Sequence, residues 1–125
     1  PFGGEARARA LACAENTQRS ISRWSGALSG RGGTALWGSG SRSVGFMGAT
    51  GLGEEEIEAV VDISPRRQGM YMPGYGRPIV GPGELASVRP TRVIAMNPIY
   101  TEEIRSELDR VGLDVAVHRV NSPPA

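Results

Sequence analysis

The chain of 125 residues contains no lysine; all 14 of its basic residues are arginine. That absence excludes Schiff-base chemistry and a lysine general base. Cysteine and histidine occur once each, as Cys13 and His118. A lone cysteine excludes an internal disulfide and any zinc site built on cysteine pairs. It also suits a reducing, cytoplasmic setting. Neither charge sign dominates: 14 basic residues face 13 acidic ones, for a net charge of +1. The strong basic field that nucleic-acid binding requires is therefore missing. No apolar run approaches the ~20 residues of a membrane span. The opening PFGGEARARA has no apolar core of the kind a signal peptide carries. It also does not begin with methionine, and we expect the chain to be a piece of a longer protein. Nucleophile–base pairs, metal clusters and paired acids at workable spacing are absent too, so a catalytic constellation is not visible.

What is present is a domain-sized chain punctuated by 18 glycines and 9 prolines. Residues 5–28 carry Leu11, Ala14, Ile21, Trp24 and Leu28 on one apolar stripe, which predicts a helix. Gly30, Gly32 and Gly33 stop it. A strand is expected over 34–37, a glycine turn over 38–41, and a short helix over 42–50 ended by Gly51. Ile57, Val60 and Val61 predict a second strand ending at Asp62, with Glu54–Glu56 as a solvated lead-in. The next twenty or so residues hold too many glycines and prolines for a long element, and loops of that size are usually functional. Within and after them come a short third strand at Ile79–Val80 and a helical turn over 84–88. A continuous apolar run at Val93–Met96 predicts the fourth strand. A helix over 100–112 follows, with Thr101 as N-cap, and then a last strand at Val115–Val117. The alternation predicts an α/β fold: a single Rossmann-like open parallel sheet of order 3-2-1-4-5, with flanking helices and an N-terminal helix. Residues 1–30 form that helix or a connector, 31–120 the domain, and 121–125 a tail.

Three features meet at the carboxyl edge of such a sheet. The turn Gly38-Ser39-Gly40-Ser41 opens a helix whose unpaired N–H groups favour an anion. The hydroxyls of Ser39, Ser41 and Ser43 and the guanidinium of Arg42 add donors. Asp62 lies where a ribose-binding acid is expected, some 20 residues on. Equally, any parallel sheet wants a tight glycine turn after its first strand, and Asp62 can simply cap a loop. A GxG turn followed by a small residue does not decide between these. If backbone and ligand approach closely at Gly40, a valine there abolishes anion binding and destabilises the fold. In the loop 62–82, Arg66, Arg67 and Arg77 suit a phosphate or carboxylate, and Tyr71 and Tyr75 suit a ring. Asn97-Pro98-Ile99-Tyr100 is either a helix-entry turn or a further polar contact. His118 reads as a surface residue and Cys13 as a small core residue.

ALWGSGSRSVGF, VVDISPRRQGMYMPGYGRPIVGP and VIAMNPIYTEEIRSEL together resemble the C-terminal domain of S-adenosylmethionine-dependent C-methyltransferases, over about residues 31–118. That family includes enzymes that methylate carbon in deoxysugar nucleotides. Gly38, Gly40, Ser41, Asp62, Pro65, Gln68, Gly69, Pro73, Gly74, Pro78, Asn97 and Tyr100 carry its pattern. The chain departs from it in three places. Ser43 replaces a usual glycine, and Arg67 stands where lysine is common. Tyr75-Gly76-Arg77 takes the place of Thr-His-Ile or similar. The resemblance implies a three-part parent with a zinc-binding region and a central methyltransferase domain that holds the methyl donor and the catalytic base. This chain would bind no cofactor itself. It would pack on that central domain and enclose an anionic small-molecule substrate, such as a nucleotide sugar. The substrate-contacting residues would be Gly38, Gly40, Ser41, Arg42, Asp62, Arg67, Gln68, Gly69, Tyr71, Pro73, Gly74, Asn97 and Tyr100. Two other readings stay open: a free-standing module for NAD or a related nucleotide, and a structural domain that docks a partner. Neither nucleic acid nor membrane is an expected partner.

Overall fold

The computed structural model describes residues 18–124. Cys13, Leu11, Ala14 and the helix expected before residue 18 lie outside the described residues. The helix present over 18–28 is α1. It is followed by β1 (Thr34–Trp37), α2 (Ser41–Thr50) and β2 (Ile57–Val61). A 3-10 turn (Pro82–Glu84) leads into the single-turn α3 (Leu85–Val88), then β3 (Arg92–Ala95). A second 3-10 turn (Pro98–Tyr100) leads into α4 (Thr101–Arg110), and β4 (Ala116–Arg119) closes the order.

The four strands form one open parallel sheet in the order β2-β1-β3-β4. The third strand expected at Ile79–Val80 is reduced to a single parallel bridge between Val61 and Val80. Pro78 and Pro82 bracket that segment, and a proline supplies no N–H to a ladder. The last strand runs two residues further than Val115–Val117 implies, reaching Arg119. β1 and β3 are the central strands, and their buried pattern follows from being covered on both faces.

Two cores result. On one face Trp24, Leu28, Leu36, Phe46, Val60, Ile94 and Met96 pack together, so α1 and α2 lie on that side. Trp24 is only 1% exposed, and its indole donates to the Val120 carbonyl at 2.7 Å. The described part of the first helix therefore packs across the sheet. On the other face Trp37, Ala59, Val61, Val93, Ala95, Ile104 and Leu108 pack together with α3 and α4. Strict alternation along β2 would put Ile57 and Val61 on the same face. A register shift against Thr34/Ala35 leaves Glu58 extra, so Ile57 joins Val60 instead. His118, expected at the surface, is half-buried and stands edge-on to Trp24, with ring centroids 6.0 Å apart.

Local signals explain the element ends. Gly51 takes a left-handed φ of 74° and its N–H closes α2 on the Met47 carbonyl at 3.0 Å. Glu56 is more than solvated lead-in: its carboxylate accepts from the N–H of Gly53 at 2.9 Å and of Gly30 at 3.0 Å. Those backbone bonds hold its pKa below the usual carboxylate value. Thr101 does not cap α4. Its hydroxyl turns back to the Pro98 carbonyl at 2.5 Å.

A candidate anion-binding cleft at the carboxyl edge of the sheet

The ends of β1, β2 and β3 and the flank of α4 enclose a cleft of about 980 Å³. Its floor is the turn after β1. Gly38 adopts φ 125°, a region closed to most side chains, and its N–H reaches the Val61 carbonyl at 2.7 Å. A Cβ there would reach Met96 only at ordinary contact distance, 3.4 Å, so the backbone angle is the constraint. Gly38 is therefore required by the turn itself. Gly40 is not. It has an ordinary extended backbone, φ −86°, and nothing lies within 4 Å of where its Cβ would be. The close approach expected at Gly40 is absent within the protein, and a side chain there meets open space.

Of the three serines, two are already engaged. The Ser39 hydroxyl and N–H donate to one oxygen of Asp62, at 2.5 and 3.2 Å. The Ser43 hydroxyl, buried beneath the turn, donates to the Gly38 carbonyl at 2.5 Å. Serine at 43 is thus a latch across the turn, which a glycine cannot be. The hydroxyl of Ser41 has no partner among the described residues, and Ser41 is exposed.

Asp62 is half-buried, and its other oxygen accepts from the Ser64 N–H at 2.9 Å. Its carboxylate staples the β1–α2 turn to the loop after β2 instead of standing clear for a ribose. Arg67 lies across the same turn, its Nη1 donating to the Ser39 carbonyl at 3.2 Å. The N–H groups of Gly40, Ser41 and Arg42 have no acceptor among the described residues. Ser43 and Val44 already bond back to the Gly40 carbonyl. No side chain caps α2 and no acid occupies its first turn. The cleft therefore meets the positive end of the helix directly.

Among the residues expected to contact substrate, Gly38, Gly40, Ser41, Arg42, Asp62, Arg67, Asn97 and Tyr100 line this cleft. Gln68, Gly69, Tyr71, Pro73 and Gly74 do not. Gln68 donates to the Asp62 carbonyl at 2.9 Å, and the Gly69 N–H bonds the Ile79 carbonyl at 2.7 Å, so both fold the loop. Tyr71 is 65% exposed and bridges to Pro78. Tyr75, offered as a ring-stacking residue, is 4% exposed and donates its hydroxyl to the Ile57 carbonyl at 2.8 Å. Burial pushes its pKa up. Arg77 donates to the Glu58 carbonyl, again outside the cleft.

The sequence reading missed the opposite wall. Glu103, Glu107 and Arg110 of α4 face the cleft. They stand at i, i+4 and i+7 of a helix whose existence was legible, beside the buried Ile104 and Leu108. That stripe was the available signal. Arg110 grips Glu107 with Nη2 at 2.8 Å and Nε at 3.1 Å. This holds the carboxyl below its usual pKa and the guanidinium above its own. The cleft is thus bipolar: helix amides, Arg42 and Arg67 on one side, acids on the other.

The fold is an α/β domain with an open parallel sheet, flanking helices and a cleft at the carboxyl edge of the sheet. No group of three or more metal-ligating side chains occurs among the described residues. No described helix is long and apolar enough to cross a membrane. The family model for the C-methyltransferase C-terminal domain matches residues 13–114. The chain belongs to that family, as its motifs led us to expect. A search of curated proteins found no match.

Proposed function

We propose that this chain is the substrate-side domain of an S-adenosylmethionine-dependent C-methyltransferase and is inactive alone. Its cleft receives the anionic part of the methyl acceptor. The observation that carries this reading is the open amino end of α2: Gly40, Ser41 and Arg42 line the cleft beside Arg67, and their N–H groups have no acceptor among the described residues. The parallel order β2-β1-β3-β4, with Val80 bridging onto β2, supports treating the sheet as Rossmann-like. A phosphate-bearing small molecule fits the donors, and a nucleotide sugar is the class we favour. The methyl donor and the catalytic base belong to another domain of a larger, cytoplasmic parent protein. This chain contributes positioning and exclusion of water. Asp62 supports this reading over an NAD module, because its oxygens are engaged by Ser39 and Ser64.

Calorimetry with a nucleotide sugar, S-adenosylmethionine and NAD tests it. The nucleotide sugar is expected to bind, and Arg67→Ala to weaken it about tenfold, the loss of one charged hydrogen-bonding group. Tight NAD binding, or no binding of any of the three, contradicts the proposal.

A further inference from the structure

A second groove lies on the other side of the amino end of α2, between α1, α2 and residues 120–123. It holds about 830 Å³, within the ~300–1,000 Å³ typical of small-molecule sites. Among the described residues Arg19, Arg23 and Arg42 line it, and no aspartate or glutamate does. Its apolar lining is made by the half-buried Ile21, Val120 and Pro123 over the nearly buried Phe46, Met96 and Trp24. Arg23 and Arg42 are both exposed and make no hydrogen bond or ion pair among the described residues. The cleft described above contrasts with it, since there acids of α4 oppose the arginines.

Two guanidiniums without a protein partner beside an apolar floor match one kind of ligand. We propose that this groove is a second binding site, for an organic anion with a phosphate or carboxylate head and an apolar body of about one ring. The head takes the fork geometry of Arg23 and Arg42, which favours planar or tetrahedral oxyanions. The body lies against Ile21, Val120 and Pro123, above Phe46. Gly45 keeps the floor open, because nothing lies within 4 Å of where its Cβ would stand. The proposal does not depend on what the cleft binds, although Arg42 borders both.

The test is a ¹⁵N correlation NMR titration of the chain with phenyl phosphate, phenylacetate and inorganic phosphate. The indole N–H of Trp24 is a built-in reporter, because it bonds the Val120 carbonyl at the groove wall. Phenyl phosphate or phenylacetate is expected to shift that signal and the Gly45 and Ser122 amides, whichever binds tighter naming the head group. Inorganic phosphate, lacking the body, is expected to bind at least fivefold more weakly. Arg23→Ala should weaken binding at least fivefold. Gly45→Leu should abolish it while keeping the spectrum folded, since leucine is the better helix former. Arg67→Ala, which disables the cleft, should leave it unchanged. The proposal is overturned if no groove signal moves, or if the shifts persist in both Arg23→Ala and Gly45→Leu. Failure here leaves the cleft reading standing, because the two sites answer to different variants.

Discussion

Two strand-to-helix turns sit side by side on the carboxyl edge of this sheet, and they end in opposite electrostatic states. After β3, Asn97 accepts from the Ile99 N–H at 3.4 Å and Pro98 has no N–H to satisfy. The Tyr100 N–H bonds the Asn97 carbonyl at 3.1 Å. Glu102 and Glu103 then place negative charge in the first turn of α4. After β1, the Asp62 carboxylate takes the Ser39 N–H and hydroxyl but none of the first N–H groups of α2. Gly40 offers no capping side chain, the first turn of α2 has no acid, and Arg42 adds a positive charge there. One helix neutralises its own amino end and the other leaves it open to a cleft. Charge complementary to a helix end is worth typically 0.3–1 kcal/mol. The β1–α2 turn forgoes that term where a neighbouring turn secures it. An anion from outside the chain restores it.

This contrast can be broken from either side. The largest effect is expected at the staple that holds the open turn. Asp62→Ala removes the acceptor for the Ser39 N–H, the Ser39 hydroxyl and the Ser64 N–H. Hydrogen bonds to charged groups contribute about 1.5–3 kcal/mol, so a loss of about 3 kcal/mol is expected by urea denaturation. Stability within error of wild type would mean that Asp62 is not a staple. Next comes Gly40→Asp, which gives the first turn the cap and charge of the second. It should raise stability by up to about 1 kcal/mol and reduce anion affinity at least tenfold by calorimetry. The space for the new side chain exists. A destabilised protein that still binds anions would contradict the reading. Asn97→Ala strips the closed turn of its cap. It should cost about 1 kcal/mol by urea denaturation, and stability within error of wild type would mean that Asn97 is no cap.

The smallest effect lies at the far edge of the sheet, where Glu56 ties Gly30 to Gly53. Its folded pKa is lowered from the ordinary value of 4.5 by those backbone bonds. The carboxylate therefore stabilises the fold above about pH 4.5, and this is lost as pH falls through the lowered folded pKa. Glu56→Gln should flatten that part of an acid titration followed by tryptophan fluorescence. An unchanged acid profile would show that the bonds to Gly30 and Gly53 carry no pH dependence.

The regular elements were legible because each had a local cause. β1 is a four-residue strand, apolar over Ala35–Trp37 and cut off by Gly38, and α2 ends where Gly51 can turn left-handed. Local cause was also enough for the carboxyl-edge turns and for the family motif. It was not enough for side-chain roles in the 62–82 loop. Tyr71 and Tyr75 are identical in composition and four residues apart, yet one is exposed and the other is core. Which of them turns inward depends on Ile57, eighteen residues back, whose carbonyl needs a donor. The same holds for Ser39 and Ser43, where the turn's own backbone and Asp62 claim the hydroxyls first. The wall made by Glu103, Glu107 and Arg110 needed the sheet order before its position over the β1–α2 turn could be read. The helical stripe alone could not say what it faced.

The most direct test of the contrast is a ¹⁵N correlation titration of the chain with inorganic pyrophosphate, followed at the amides of the two helix starts. The amides of Gly40, Ser41 and Arg42 are expected to shift in a saturable way, while those of Ile99, Tyr100 and Glu102 stay still. Equal shifts at both turns, or none at the β1–α2 turn, would contradict the account.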